Sequence, residues 1–422
     1  MNHVDTIIFN VGELVTCAAG GKPKRRAEMA DVGIIANGAV AIADGKFAAV
    51  GTTEEILQEF AAENVIDVEG KVICPGFVDP HTHIVYAGDR LNEFELKIKG
   101  ADYLDILASG GGILSTVKAT RAASFEHLVK LGLKLLDKMF VCGTTTAEIK
   151  TGYGLDTATE LKMLDVIAEL DKRHVIDIVP TFLAAHTVPN EFKDNADGYV
   201  DLVCAEMLPR AWDWYRRSHF WGLVPFFADV FTEQKSFNVD QSRRILESAR
   251  TMGFRIKAHV DQFTNLGGSR LAIGCGATSI DHLDAISDEE IAILAASDTV
   301  GIVIPTENFN AGKTQFANAR KMIDAGCAMA LSTDYNPGSA PCPSQPMAMA
   351  IACRYQKLLP AEALNAATIN AAFAIGLGEQ CGSIEKGKKA DLLILDMNDH
   401  RQIVAEFGGN GVKTVFKRGE VV

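Results

Sequence analysis

Long apolar runs, an excess of basic charge and paired cysteines are all lacking in this 422-residue sequence. No uninterrupted apolar segment approaches the roughly 20 residues that a membrane-spanning helix needs, so none is expected. Lysine and arginine total 41 against 54 aspartates and glutamates, a formal net charge of −13. That balance argues against a nucleic-acid partner and against an anionic membrane surface. The nine cysteines are scattered, with no C-x-x-C pair. Reduced thiols in a cytoplasmic protein are the expectation. The opening MNHVDTIIFNVGELVT has no basic stretch followed by a long apolar core, so it reads as a strand rather than an export signal.

What is present is enough apolar sequence, 48% of residues, for one large barrel and a smaller domain. The first 67 residues alternate short apolar strands with turns such as GKPK, ANG and DGK. Residues 382–422 repeat that style, with candidate strands at Ala390–Leu395 and Val412–Lys417. Residues 1–67 and 382–422 are therefore expected to form one discontinuous small β-sandwich. Residues 68–381 alternate eight apolar strands with amphipathic helices. This is the pattern of an α/β protein with a TIM-like (β/α)8 barrel, whose active site lies at the C-terminal ends of the strands.

Five metal-binding side chains fall at those ends. PGFVDPHTHIV carries His81 and His83, two residues apart and so on one side of an extended chain. His259 closes the fifth candidate strand, His282 the sixth and Asp334 the eighth. One histidine at a strand end is usually a satisfied polar group. Five such residues around one mouth point to a divalent ion, which three neutral imidazoles and one carboxylate would hold with room for a water. Such an ion lowers the pKa of its water to about 7.

With these motifs stand YAGDRLNEFELKIKGADYLDI, SGGGI at 109–113, EIKTGYGL at 148–155, TFLAAHTVP at 181–189, NLGG at 265–268 and STDYNPGSAP at 332–341. Together they resemble the imidazolonepropionase family of the amidohydrolase superfamily, over essentially the whole chain. The resemblance implies hydrolytic opening of 4-imidazolone-5-propanoate to N-formimidoyl-L-glutamate, in histidine degradation. It implies His81, His83, His259 and Asp334 as ligands of the metal, zinc or iron, with His282 beside the attacking water. Binuclear members of the superfamily carry a carbamylated lysine on the fourth strand. FFADVFTE has none, so one ion per subunit is expected. The substrate is a small molecule with a carboxylate, and relatives are commonly homodimers.

The remaining candidates answer that substrate's needs. Arg90 offers a planar fork to a carboxylate, unless it merely pairs with Asp89 or Glu93. Tyr153 lies between glycines that let backbone approach a ligand, or else packs on the rim. His186 could donate to the ring carbonyl or the carboxylate, and with His282 and Asp334 completes the catalytic set; alternatively it bonds to backbone. Asn336, Gly338 and Ser339 could grip the carboxylate or simply form a tight turn. Gln262 stands where some relatives carry glutamate. Having no titratable proton, it can only orient the ring. Asp334 is then the natural base. Residues 206–227 hold all three tryptophans with Arg210, Arg216 and Arg217. Base stacking is one reading of that pattern; helix packing or a subunit interface is the stronger one. Two further readings compete with the whole: a deaminase acting on a neutral base, for which Arg90 has no purpose, and a scaffold that has lost catalysis, which would have lost its ligands.

Overall fold

The structure, a computed structural model, describes residues 1–100 and 111–422. The stretch ADYLDI of one quoted motif, and Ser109 and Gly110 of another, lie outside the described residues. The chain opens with β1 (Asn2–Val15), β2 (Ile34–Ala43), β3 (Lys46–Thr52), β4 (Phe60–Asp67) and β5 (Val72–Pro75). Eight strands follow: β6 (Phe77–Asp79), β7 (Thr144–Lys150), β8 (Asp177–Ala185), β9 (Phe227–Thr232), β10 (Arg255–Val260), β11 (Ser279–His282), β12 (Val300–Val303) and β13 (Ala328–Leu331). The chain closes with β14 (Leu392–Leu395), β15 (Val412–Lys417) and β16 (Glu420–Val421).

Strands β6 to β13 pair in sequence order, all parallel, and helices return between them. Amphipathic segments read from the sequence form the outer layer, among them Phe125–Val141, Thr157–Arg173 and Val239–Met252. Each begins at a residue whose side chain accepts from the first turn: Ser124, Asp156 and Asn238. The ring of strands is nearly closed, and side-chain and backbone hydrogen bonds bridge the seam beside β6 and β13. Ser332 Oγ donates to Asp79 Oδ1 at 2.6 Å, and His83 N–H donates to Tyr335 O at 2.9 Å.

The two chain ends form a separate mixed sheet, in the order β16-β15-β14-β5-β1-β2-β3, with β4 also on β1. It is hydrogen-bonded as one continuous sheet. β5, which lies beyond residue 67, belongs to it as well, so the sheet reaches further along the chain than the composition suggested. β5 runs into β6 through Gly76 alone. A Cβ there would lie 2.3 Å from Thr145 Oγ1, so this crossing from sheet to barrel has room only for glycine. Among the described residues no helix is long and apolar enough to cross a membrane.

The aromatic–basic stretch is part of the barrel wall. Helix Ala196–Leu202 continues through a π turn into Leu208–Arg217. Trp212 packs on Phe254 with ring centroids 4.9 Å apart, and Trp214 on Phe226 at 5.7 Å. Trp214 Nε1 donates to Asp165 at 2.8 Å. Trp221 packs edge-on against Tyr215, with ring centroids 5.1 Å apart, and stays half exposed.

Candidate metal centre

His81 and His83 follow the end of β6 in an extended segment held from both sides. Thr82, between them, donates its hydroxyl to Glu148 O at 2.6 Å on β7. His259 arrives on β10. Nε2 of His83 lies 3.2 Å from Nε2 of His81 and 3.4 Å from Nε2 of His259. Asp334 Oδ1 is 3.6 Å from His81 Nε2 and 3.5 Å from His83 Nε2. Ligand nitrogens about 2.1 Å from one tetrahedral ion stand about 3.4 Å apart, so this spacing fits a shared ion.

Tautomers support that fit. His81 Nδ1 meets Asp281 Oδ2 at 2.6 Å, and His259 Nδ1 meets Asp229 Oδ1 at 3.1 Å. A carboxylate only accepts, so each Nδ1 carries the proton and each Nε2 presents a lone pair to the shared point. Burial first, then Lys150, holds His81 well below the ordinary imidazole range; burial and His186 do the same for His83. Both rings are neutral, as ligands must be. Burial and then Glu307 push Asp334 well above the usual carboxylate range. A cation among the rings is what would hold it ionised.

Beneath the histidines lies a buried ionic layer that sequence reasoning missed. Lys150 Nζ is 2.7 Å from Glu148 Oε1 and 2.8 Å from Asp229 Oδ2. Lys257 Nζ donates to Pro80 O at 3.0 Å and lies 3.7 Å from Asp281 Oδ2. Burial alone would push the Lys150 ammonium down, but Asp229, Glu148 and Asp281 raise it above its ordinary value. Carboxylates still outnumber ammonium groups in this dry region, which favours a divalent cation at the rings. The signal was in the sequence: EIK places Glu148 and Lys150 on one side of a strand, and SID places Asp281 on the inward side of the next-but-three.

His282 reaches the cluster by a backbone distortion. Asp281 points inward, so simple alternation sends His282 outward. Its φ of +86° turns the ring back over the mouth. Its centroid lies 5.3 Å from that of His259 and 5.4 Å from that of His81. Burial and His259 hold it well below the ordinary imidazole range, and among the described residues its buried Nδ1 has no hydrogen-bond partner.

The other candidates gather around the same mouth. His186 stacks on His83 at 4.9 Å, and its Nδ1 meets Gly152 O at 3.1 Å. A carbonyl only accepts, so Nδ1 is the protonated nitrogen. Burial and His259 push the ring's pKa down to about 3, leaving Nε2 an acceptor rather than the donor expected from the sequence. Tyr153 is buried, 5.5 Å from His186 and 5.9 Å from His83, ring centre to ring centre. Arg90 donates from Nε to Glu93 Oε2 at 2.7 Å, and its Nη2 lies 2.6 Å from the same oxygen. The flat of the guanidinium lies against Gly338, where a Cβ would sit 2.0 Å from Nη1, 2.3 Å from Cζ and 2.7 Å from Nε. Asn336 Oδ1 accepts from the N–H groups of Gly338 and Ser339, both at 2.8 Å, and its amide donates to Asp334 O and Ser339 Oγ. These donors are engaged within the loop, which makes it a scaffold for Asp334 and a seat for Arg90. Gln262 stands half-buried beyond β10, and its neighbour Asp261 turns away to accept from Ser269 Oγ at 2.5 Å.

A model of the amidohydrolase family matches residues 231–422. The chain is 51% identical to the imidazolonepropionase of Chloroflexus aggregans, over 100% of its own length and 99% of that protein's. It is 51% identical to the imidazolonepropionase of Herpetosiphon aurantiacus, over 100% and 98%. Among solved structures it is similar to an adenosine deaminase from Xanthomonas campestris with bound zinc, with a TM-score of 0.73, 19% identity and 100% and 93% coverage. It is also similar to the guanine deaminase of E. coli, with a TM-score of 0.72, 17% identity and 99% and 98% coverage. These last two likenesses carry the fold alone.

Proposed function

The chain belongs to the imidazolonepropionase family of amidohydrolases, metal-dependent hydrolases that open the ring of 4-imidazolone-5-propanoate, and we propose that His81, His83, His259 and Asp334 hold one divalent ion, zinc or iron, for that reaction. The observation that carries this is the convergence of the His81, His83 and His259 ring nitrogens, with Asp334 Oδ1 3.6 Å and 3.5 Å from Nε2 of His81 and His83. Bound there, the ion would supply a water acidic enough to attack near neutral pH.

The protein's own groups divide the remaining work. Asp334 takes a proton from the attacking water as the carbon–oxygen bond forms. It returns that proton to the ring nitrogen as the carbon–nitrogen bond breaks. His282, held over the mouth, orients the water and shares the charge that develops on the carbonyl oxygen. His186 accepts a substrate N–H at its bare Nε2, which leaves the oxyanion to His282. Arg90, fixed by Glu93 through one edge, meets the substrate carboxylate with the other. Gln262 and Tyr153 bound the ring. The deaminase reading has only the fold in its favour, and a neutral base gives Arg90 nothing to bind.

The test is loss of the ultraviolet absorbance of 4-imidazolone-5-propanoate on adding purified protein, beside a chelator-treated sample. Rapid loss that chelation abolishes and added zinc or iron restores is expected. No loss from protein shown to contain metal would discard the substrate assignment.

A further inference from the structure

One buried ammonium stands behind all three histidines, and nothing in the reaction as described uses it. Lys150 comes from β7, the second barrel strand, with Glu148 two residues before it and on the same inward side. Its Nζ lies 2.7 Å from Glu148, 2.8 Å from Asp229 and 3.6 Å from Asp281. Each of these carboxylates leads to the metal centre. Asp229 accepts from the Nδ1 of His259 and, at 3.2 Å, from its backbone N–H. Asp281 accepts from His81 Nδ1. Glu148 accepts from the N–H of Thr82, between His81 and His83, at 3.4 Å. Lys150, Glu148 and Asp281 are fully shielded from solvent and Asp229 nearly so.

We propose that Lys150 is a positioning residue of the metal centre, holding the carboxylates that aim His81 and His259 and fix their tautomers. An ammonium has three protons and no acceptor, and three carboxylates surround this one. Without it, Asp229 and Asp281 would be like charges sharing a dry interior with Lys257, 3.7 Å from Asp281, as the remaining ammonium beside them. Each would be drawn off its imidazole, and the Nδ1–H that keeps Nε2 bare would lose its acceptor. Partners of this kind change metal affinity by about 10- to 100-fold when removed. The role is one of support. Lys150 donates to Glu148 and Asp229 and faces Asp281 at 3.6 Å, which sets it apart from a lysine that carries a carboxyl group to a second ion.

This inference rests on the metal assignment above, and the experiment separates the two. Zinc affinity of the apo-protein is measured by competition with a chromophoric chelator for the wild type, Lys150→Met and Glu148→Gln. Melting of each apo-protein and the visible spectrum of each cobalt-loaded protein are recorded alongside. The wild type is expected to bind one zinc tightly, and a wild type that binds none would remove the metal assignment itself. Lys150→Met is expected to bind zinc at least about tenfold more weakly and to give an altered cobalt spectrum at saturating cobalt. Glu148→Gln keeps the ammonium on Asp229 and Asp281 and is expected to stay within about threefold of the wild type. A folded Lys150→Met protein with wild-type affinity and an unchanged cobalt spectrum would overturn the positioning role. Should Lys150→Met not fold, Lys150→Met/Glu148→Gln removes one charge of each sign. The same loss of affinity is then expected, and unchanged affinity in it would be equally fatal.

Discussion

His282 shows how much one residue's backbone can decide. Its left-handed φ of +86° and that of Leu283, +67°, are uncommon for residues with a side chain, and they bring both Asp281 and His282 to the same site from adjacent positions. Asparagine tolerates the same backbone region better than alanine does. His282→Asn is therefore expected to keep the chain folded and its metal content unchanged while lowering kcat at least about 100-fold. Metal analysis beside steady-state kinetics checks this, and full turnover in the variant would take His282 out of the reaction.

At the scale of the element, the loop after β13 holds the site together. Asn336 binds the loop to itself, while Asn310 Nδ2 donates to Ser339 O at 2.7 Å from the neighbouring helix Pro305–Asn310. Gly338 is the point where Arg90 lies flat on the backbone. Glu93 fixes Arg90 on its other side and also accepts from Gly112 N–H at 2.7 Å, so the guanidinium has little freedom to retreat. Gly338→Ala is expected to raise KM about tenfold, with a smaller effect on kcat and none on metal content, because it moves Arg90, the proposed carboxylate-binding group, and not the proposed metal ligands. A tenfold change is about 1.4 kcal/mol of binding. Steady-state kinetics with a metal assay distinguish this from damage to the metal centre.

For the molecule as a whole, one carboxylate fastens the barrel to the sheet made by the chain ends. Asp177, the first residue of β8, lies 2.9 Å from Lys417 Nζ on β15 and 2.8 Å from Lys389 Nζ, and Arg418 caps its other oxygen. Burial would raise its pKa, but Lys417, Lys389 and Arg418 together hold it below the usual carboxylate range. The folded value thus lies below the unfolded one, near 3.9. Its stabilising contribution is complete above that value and is lost as pH falls through the folded one. Asp177→Asn is expected to destabilise the protein by about 3 kcal/mol at pH 7. The gap from the wild type should narrow steadily below about pH 4. Denaturant unfolding across pH 3–7 checks both, and a gap constant with pH would mean that the charge of Asp177 is not what joins the two parts.

The sequence by itself determined the order of elements and which side chains meet at the barrel mouth. Apolar strands of three to nine residues and helices of 3.6-residue period are local patterns, so all eight barrel strands stand within a few residues of where alternation places them. His81, His83, His259, His282 and Asp334 could be picked out because each stands at or just beyond the end of such a strand, and barrel strands end at one face. Tertiary structure alone decided what stands behind them. Lys150, Asp229 and Asp281 come from three strands far apart in sequence, and a buried lysine looks like a surface lysine until its partners are known. The proton on His186 is likewise fixed by Gly152 O, a backbone atom that no side-chain pattern records. So is the edge that Arg90 offers, because Glu93 takes one side of the guanidinium and only the folded loop shows which side remains. Local periodicity specifies which residues arrive at the mouth, whereas tautomer, aim and charge depend on pairings that exist only once the ring of strands has closed.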